Sequence, residues 1–93
     1  MLVVTERAAQ ALKAILDRID TQHGECVRLA TIGHDRVGLT VDVERHGDEV
    51  VTHEDQIVLV LDRETARELD GVTLKYKHTG EGGGFTLLRK AKK

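Results

Sequence analysis

The sequence has 93 residues, with 14 lysines and arginines against 16 aspartates and glutamates, and a formal net charge of −2 at pH 7. This balance argues against a general attraction to nucleic-acid phosphates, and the two aromatic residues, Tyr76 and Phe85, are too few for a base-stacking platform. With 40% hydrophobic and 32% charged residues, the composition is typical of one folded domain over 1–93 with an aliphatic core.

The first 19 residues predict an amphipathic helix. Thr5 is a residue type that caps helix N-termini, and the apolar residues after it recur every three or four positions as far as Ile19. A helix over 6–19 would therefore bury one face and expose the other.

Beyond Gly24 the apolar residues recur every second position, which indicates strands. We predict strands over 26–32 and 39–44. In the second strand Leu39, Val41 and Val43 alternate with polar residues, so we expect those three side chains inside and Asp42 in solvent.

The second half of the chain predicts further strands around one short helix. Strands over 49–53 and 56–61 follow turns, and the second is apolar enough to be a central strand that is covered on both faces. Asp62 is an N-cap candidate for a helix that ends at Asp70-Gly71. Strands over 72–77 and 85–88 then flank a glycine-rich loop over 79–84. This order of elements predicts an α+β, mainly β fold.

The single cysteine, Cys26, cannot form an internal disulfide, and its place in a strand predicts a small buried thiol. No apolar run approaches the roughly 20 residues that cross a bilayer, and the N-terminus lacks the pattern of a signal peptide. We therefore expect a cytoplasmic protein without membrane contact.

Several segments, in their order and spacing, resemble the HesB-like family, the A-type iron–sulfur carriers that include IscA. They are LVVTERAAQALKAIL, CVRLA, VGLTVDVE, DEVVTHEDQIVLVLDRETARELDGVTLKY and GGGFTL. The resemblance implies a HesB-like domain with an N-terminal amphipathic helix, about seven short strands in a small mixed sandwich or half-barrel, and one short helix before the C-terminal strands. It also implies homo-oligomers and partners among iron–sulfur biogenesis proteins.

The resemblance implies a cluster-ligand set that this sequence lacks. Family members carry one cysteine in a Gly-Cys-Ser-Gly loop and two in a Cys-Gly-Cys tail, since soft thiolates hold iron and its clusters. Here Arg36 matches the loop cysteine, and residues 86–93 contain no cysteine. A guanidinium does not coordinate metal. The resemblance therefore implies a divergent member that carries no cofactor through the usual cysteines.

The matching loop and the glycine-rich segment form our candidate surface for a partner or ligand. Its residues are Gly33, His34, Asp35, Arg36, Gly38, Gly82, Gly83 and Gly84. Arg36 suits a carboxylate or phosphate because its planar fork binds either one through two hydrogen bonds. The basic residues 89–93 are a second feature, which could contact an acidic partner or RNA, although such termini are usually solvated.

Two other functions stay open. One is a metal or cluster site formed by His34 and His78, or by Cys26 shared between subunits, because imidazole and thiolate both bind transition metals. The other is a small-ligand or enzyme site at His34, Asp35 and Arg36. Adjacent side chains diverge, and the sequence has no serine nucleophile, so we predict no catalytic residue.

Overall fold

In the computed structural model, which describes residues 1–19, 24–32, 36–79 and 82–89, seven strands form two sheets and two helices pack against them. The elements are β1 (Val3–Val4), α1 (Glu6–Arg18), β2 (Glu25–Ile32), β3 (Arg36–Val43), β4 (Glu49–His53), β5 (Gln56–Leu61), α2 (Arg63–Glu68), β6 (Thr73–Thr79) and β7 (Gly82–Leu88). The predicted α+β, mainly β fold, with a leading helix and a short helix before the last strands, is confirmed.

Helix α1 forms as its sequence predicts. The hydroxyl of Thr5 accepts a hydrogen bond from the backbone N–H of Ala8 at 3.1 Å, which satisfies one of the free donors of the first turn. The face that repeats every three to four residues is buried and includes Leu12 and Leu16. The helix ends at Arg18, and Ile19 is its C-cap.

The larger sheet has the strand order β3-β2-β5-β4. Strand β2 pairs antiparallel with β3 and parallel with β5, and β4 and β5 form a hairpin. Both residues of the hairpin turn, Glu54 and Asp55, have positive φ angles of 52° and 65°, a combination that matches the twist of paired strands. Because β5 lies inside the sheet, its residues Val58 to Leu61 are fully buried, which confirms the predicted central strand.

The smaller sheet has the strand order β1-β6-β7, with β1 parallel to β6 and β7 antiparallel to it. Before β6, Asp62 caps α2 by accepting the N–H of Thr65 at 2.8 Å, and Gly71 ends that segment with a φ of 79°. A single apolar cluster joins α1, α2 and both sheets. It consists of Leu2, Ala8, Leu12, Leu16, Val27, Leu29, Val58, Leu59, Leu61, Leu69, Val72 and Leu74.

Two sequence predictions of strand limits were wrong. Strand β3 begins at Arg36, three residues before the predicted start, and β7 begins at Gly82, inside the predicted glycine-rich loop. In both cases the partner strand continues the ladder: Ile32 pairs with Arg36, and Thr79 pairs with Gly82. Backbone pairing thus extends these strands beyond the residues whose side chains show alternation.

Within the part of the chain that the structure describes, neither helix is long and apolar enough to cross a membrane.

Candidate functional site

The predicted surface falls partly on strands. Gly33, His34 and Asp35 lie outside the described residues. Arg36 opens β3 opposite Ile32, and Gly38 is half-buried opposite Ala30 in the same ladder. The prediction of a glycine-bracketed loop therefore needs correction on its C-terminal side, where Arg36 and Gly38 belong to a strand.

The glycines at 82–84 belong to β7, and Gly83 makes room there for an aromatic ring. Gly83 pairs with His78, and the ring of Tyr76 lies over Gly83 in the space that a Cβ atom would fill. The same ring contacts Phe85, with ring centroids 4.9 Å apart. Glycine at this position therefore allows the close approach of an aromatic ring, as strand glycines often do. The prediction of a loop over 82–84 was wrong, because these residues complete the pairing with β6.

The two strands that carry described residues of the predicted surface approach each other. Strands β3 and β7 approach each other with Cα atoms within 8 Å, although they belong to different sheets. The fold thus brings the strand that carries Arg36 and Gly38 beside the strand that carries Gly82, Gly83 and Gly84.

The cysteine is unsuited to metal binding in this fold. Cys26 lies in β2 with 1% of its surface exposed, and it is a free thiol. Burial raises the pKa of Cys26, because removal from water disfavours the charged thiolate. The predicted buried thiol is confirmed. A ligand shared between subunits would need an accessible sulfur, which Cys26 does not present.

A network of ion pairs beside Cys26 was missed by sequence reasoning. Arg28 is 14% exposed, and its Nε donates to Asp42 at 2.6 Å while its Nη2 donates to Asp48 at 2.6 Å. Asp48 is only 4% exposed and also accepts the backbone N–H of Arg45 at 2.8 Å. Arg28 follows two buried apolar residues in β2, which is the signal that could have suggested a buried charge needing partners.

The network changes the environment predicted for Asp42 but not the orientation of β3, since Leu39 and Val41 lie opposite the core residues Leu29 and Val27. Asp42 was expected in solvent, but it pairs with Arg28 because the register places Arg28 and Asp42 on the same face as Cys26. Val41 and Val43, expected inside, are 45% and 46% exposed because β3 is the edge strand of its sheet. Of the three predicted inward residues, only Leu39 packs against the core.

Hydrogen bonding lowers the pKa of both carboxyl groups in this network. The pKa of Asp48 is lowered chiefly by the side-chain hydrogen bond from Arg28. The pKa of Asp42 is lowered first by the backbone N–H of Val43 and then by Arg28. The two aspartates in turn raise the pKa of Arg28. These groups satisfy one another, so the network stabilises the sheet and offers few free donors to a ligand.

The histidine site remains a sequence prediction. His34 lies outside the described residues, and His78 is placed only by its backbone, in β6 opposite Gly83. Among the residues whose positions are described, no group of three or more His, Cys, Asp or Glu side chains could hold a metal ion.

No protein-family profile matches this sequence, and no curated protein sequence matches it. Solved structures do share its fold. Escherichia coli SufA, which is described as involved in biosynthesis of iron–sulfur clusters, aligns over 95% of this chain and 84% of its own, with 20% identity and a TM-score of 0.69. IscA, solved with a 2Fe–2S cluster, aligns over 96% of this chain and 85% of its own, with 17% identity and a TM-score of 0.63.

A protein from Aquifex aeolicus, solved by NMR, aligns over 96% of this chain and 91% of its own, with 20% identity and a TM-score of 0.72. At these identities the comparisons establish the fold. The resemblance to HesB-like and IscA-like proteins, inferred from sequence segments, is therefore confirmed for the architecture of the chain.

Proposed function

We propose that this chain is a non-catalytic HesB-like module that binds or modulates proteins of iron–sulfur cluster assembly without carrying a cluster through cysteines. The proposal is supported by the fold shared with SufA and IscA, of which the first is involved in cluster biosynthesis and the second holds a 2Fe–2S cluster. The observation that carries it is Cys26, the one cysteine of the sequence, which is buried in β2 and 1% exposed.

The burial of Cys26 opposes cluster ligation in two ways. Iron–sulfur clusters are held by thiolates, and burial raises the pKa of this thiol and so favours its protonated form. An iron atom would also need access to the sulfur, and only 1% of the surface of Cys26 is exposed.

The partner surface in this proposal is the candidate surface predicted from the sequence: Gly33, His34, Asp35, Arg36, Gly38, Gly82, Gly83 and Gly84. By the resemblance, Arg36 occupies the position of a cluster-ligand cysteine, so the position would exchange a metal ligand for a donor to carboxylates or phosphates. The proximity of β3 and β7 supports a joint surface. The proposal includes a cytoplasmic location and association between copies of the chain.

Anaerobic reconstitution tests whether the chain carries a cluster. After incubation with iron and sulfide and removal of unbound ions, we expect no stoichiometric iron and no visible absorption band, because no accessible thiolate is present. Bound iron and the absorption spectrum are measured together, with IscA treated identically as the positive control. A coloured species with stoichiometric iron that disappears in Cys26→Ala, His34→Ala or His78→Ala would contradict the proposal and support the metal-binding alternative.

A cluster-transfer assay tests the modulating role. We expect the rate of transfer from loaded IscA to an apo acceptor to change by roughly twofold or more when this chain is added, because the shared fold would engage the same partners. The change should shrink in Arg36→Ala and persist in Lys13→Ala, which removes an exposed charge of α1. A rate that is unaffected at saturating amounts of the chain excludes this role.

A further inference from the structure

A basic groove of about 710 Å³ crosses the outer face of the smaller sheet. It runs from the start of α1, at Thr5 and Arg7, over Lys75, Tyr76 and Lys77 of β6 to Leu88 at the end of β7. We infer that this groove binds an extended acidic segment of a partner protein, which adds as a strand to the free edge of β6. The inference does not depend on the role in cluster assembly.

The charge of the groove selects an anionic partner. Arg7, Lys75 and Lys77 are exposed, and no carboxylate of the described residues forms an ion pair with any of them. Because Leu74 is fully buried on the core side of β6, the alternation of the strand places Lys75 and Lys77 together on the outer face. Their side chains are therefore about 7 Å apart along the strand, which is the spacing of alternate side chains in any extended segment.

The backbone of β6 selects a peptide as that partner. The N–H of Val3 donates to the carbonyl of Val72, and the N–H of Thr5 donates to the carbonyl of Leu74. Alternate residues of a strand direct their N–H and C=O groups to the same edge, so those of Tyr76 face this edge too. After Thr5 the chain continues as α1. Among the described residues, no further backbone hydrogen bond reaches this edge of β6.

A partner segment that continues the line of β1 along β6 would match both the positive charge of the groove and the open backbone edge of β6. Its backbone would pair with Tyr76, as in other cases of strand addition to an open sheet edge. Glutamate or aspartate at alternate positions would then lie opposite Lys75 and Lys77, where cross-strand pairs of opposite charge are favourable.

Nucleic acid fits the groove less well than an acidic peptide. Phosphates could match the lysines, but the backbone of a nucleic acid has no regularly spaced N–H and C=O groups to pair with the edge of β6 as a strand does. Tyr76 is half-buried and packs on Phe85, so it does not offer a free ring for stacking a base. The net charge of the chain, −2, adds no general attraction to a polyanion.

Peptide binding tests the inference. The probe is a fluorescent peptide of alternating glutamate and valine, compared by anisotropy with a peptide in which glutamine replaces glutamate. We expect the glutamate peptide to bind roughly tenfold more tightly, and Lys75→Glu/Lys77→Glu to weaken its binding roughly tenfold. The control Lys13→Glu makes the same kind of charge change on α1, outside the groove, and should alter binding less than about twofold.

Hydrogen exchange of the native protein tests the strand pairing independently of any variant. Addition of the glutamate peptide should slow exchange of the Tyr76 amide, and a peptide N-methylated at alternate positions should not. Equal affinity of the glutamate and glutamine peptides, or unchanged exchange at Tyr76 with bound peptide, would overturn the inference. Tighter binding of a single-stranded RNA of equal charge would also overturn the inference. So would the finding that the protein forms a dimer that excludes the peptide and that dissociates in Lys75→Glu/Lys77→Glu.

Discussion

Replacement of Leu74 by alanine is expected to lower the free energy of unfolding by about 3 kcal/mol, a large part of the roughly 5–15 kcal/mol that a small domain has. Leu74 is fully buried in the cluster that joins α1, α2 and both sheets. Its strand is held by β1 on one side and by β7 on the other, so the backbone has little freedom to collapse into the cavity. Urea unfolding monitored by circular dichroism measures the loss.

Leu88→Ala provides the matched control for Leu74→Ala. Leu88 lies in the neighbouring strand β7 but is 55% exposed, so its truncation should cost less than about 0.5 kcal/mol. If the two variants lose the same stability, Leu74 does not pack in the core and this prediction is wrong.

The elements that the sequence predicted well are those with both a periodic pattern and an end signal. Thr5 and the spacing of apolar residues defined α1 to within one residue, and Asp62 and Gly71 bracketed α2. The continuous apolar run of β5 correctly indicated an interior strand. In each case the local sequence and the tertiary fold favour the same conformation.

The features that sequence reasoning missed depend on contacts between distant segments. Strand β1 has two residues, too few to show any period, and exists because β6 supplies its hydrogen bonds. The glycines of β7 are typical of a loop in sequence, and only the structure shows that the ring of Tyr76 occupies the space above Gly83. The ion pair of Arg28 with Asp42 depends on the register of β3 with β2, which places the two side chains on the same face.

The same limit applies to the candidate sites. The bracketing glycines and the resemblance pointed to the segment of Gly33, His34 and Asp35, which lies outside the described residues, so that part of the surface stays a prediction. The basic groove was not visible in the sequence, because Lys75 and Lys77 look like the solvent face of any strand. They become a candidate site only because β1 ends opposite Leu74 and leaves the edge of β6 open.

The second large effect is expected at the ion-pair network of β2. Arg28→Met keeps a long side chain but leaves Asp48, which is 4% exposed, without its charged partner. Loss of one member of a partly buried pair leaves the other charge without its hydrogen bonds, and we expect a decrease of about 2 kcal/mol in the free energy of unfolding near pH 7. Lys13→Met removes the exposed pair with Asp17 and should cost less than about 1 kcal/mol.

The pH dependence of this loss distinguishes a broken ion pair from altered packing. In the native protein the pKa values of Asp42 and Asp48 lie below their ordinary value of 3.8, so they add stability above about pH 4 that is lost as the pH falls through the lowered values. Arg28→Met removes the part of this contribution that comes from Arg28, whereas the hydrogen bonds from the backbone N–H groups of Val43 to Asp42 and of Thr65 to Asp62 remain in both proteins. The stability difference between wild type and variant should therefore narrow from about pH 7 to about pH 3, and a constant difference would indicate lost packing instead.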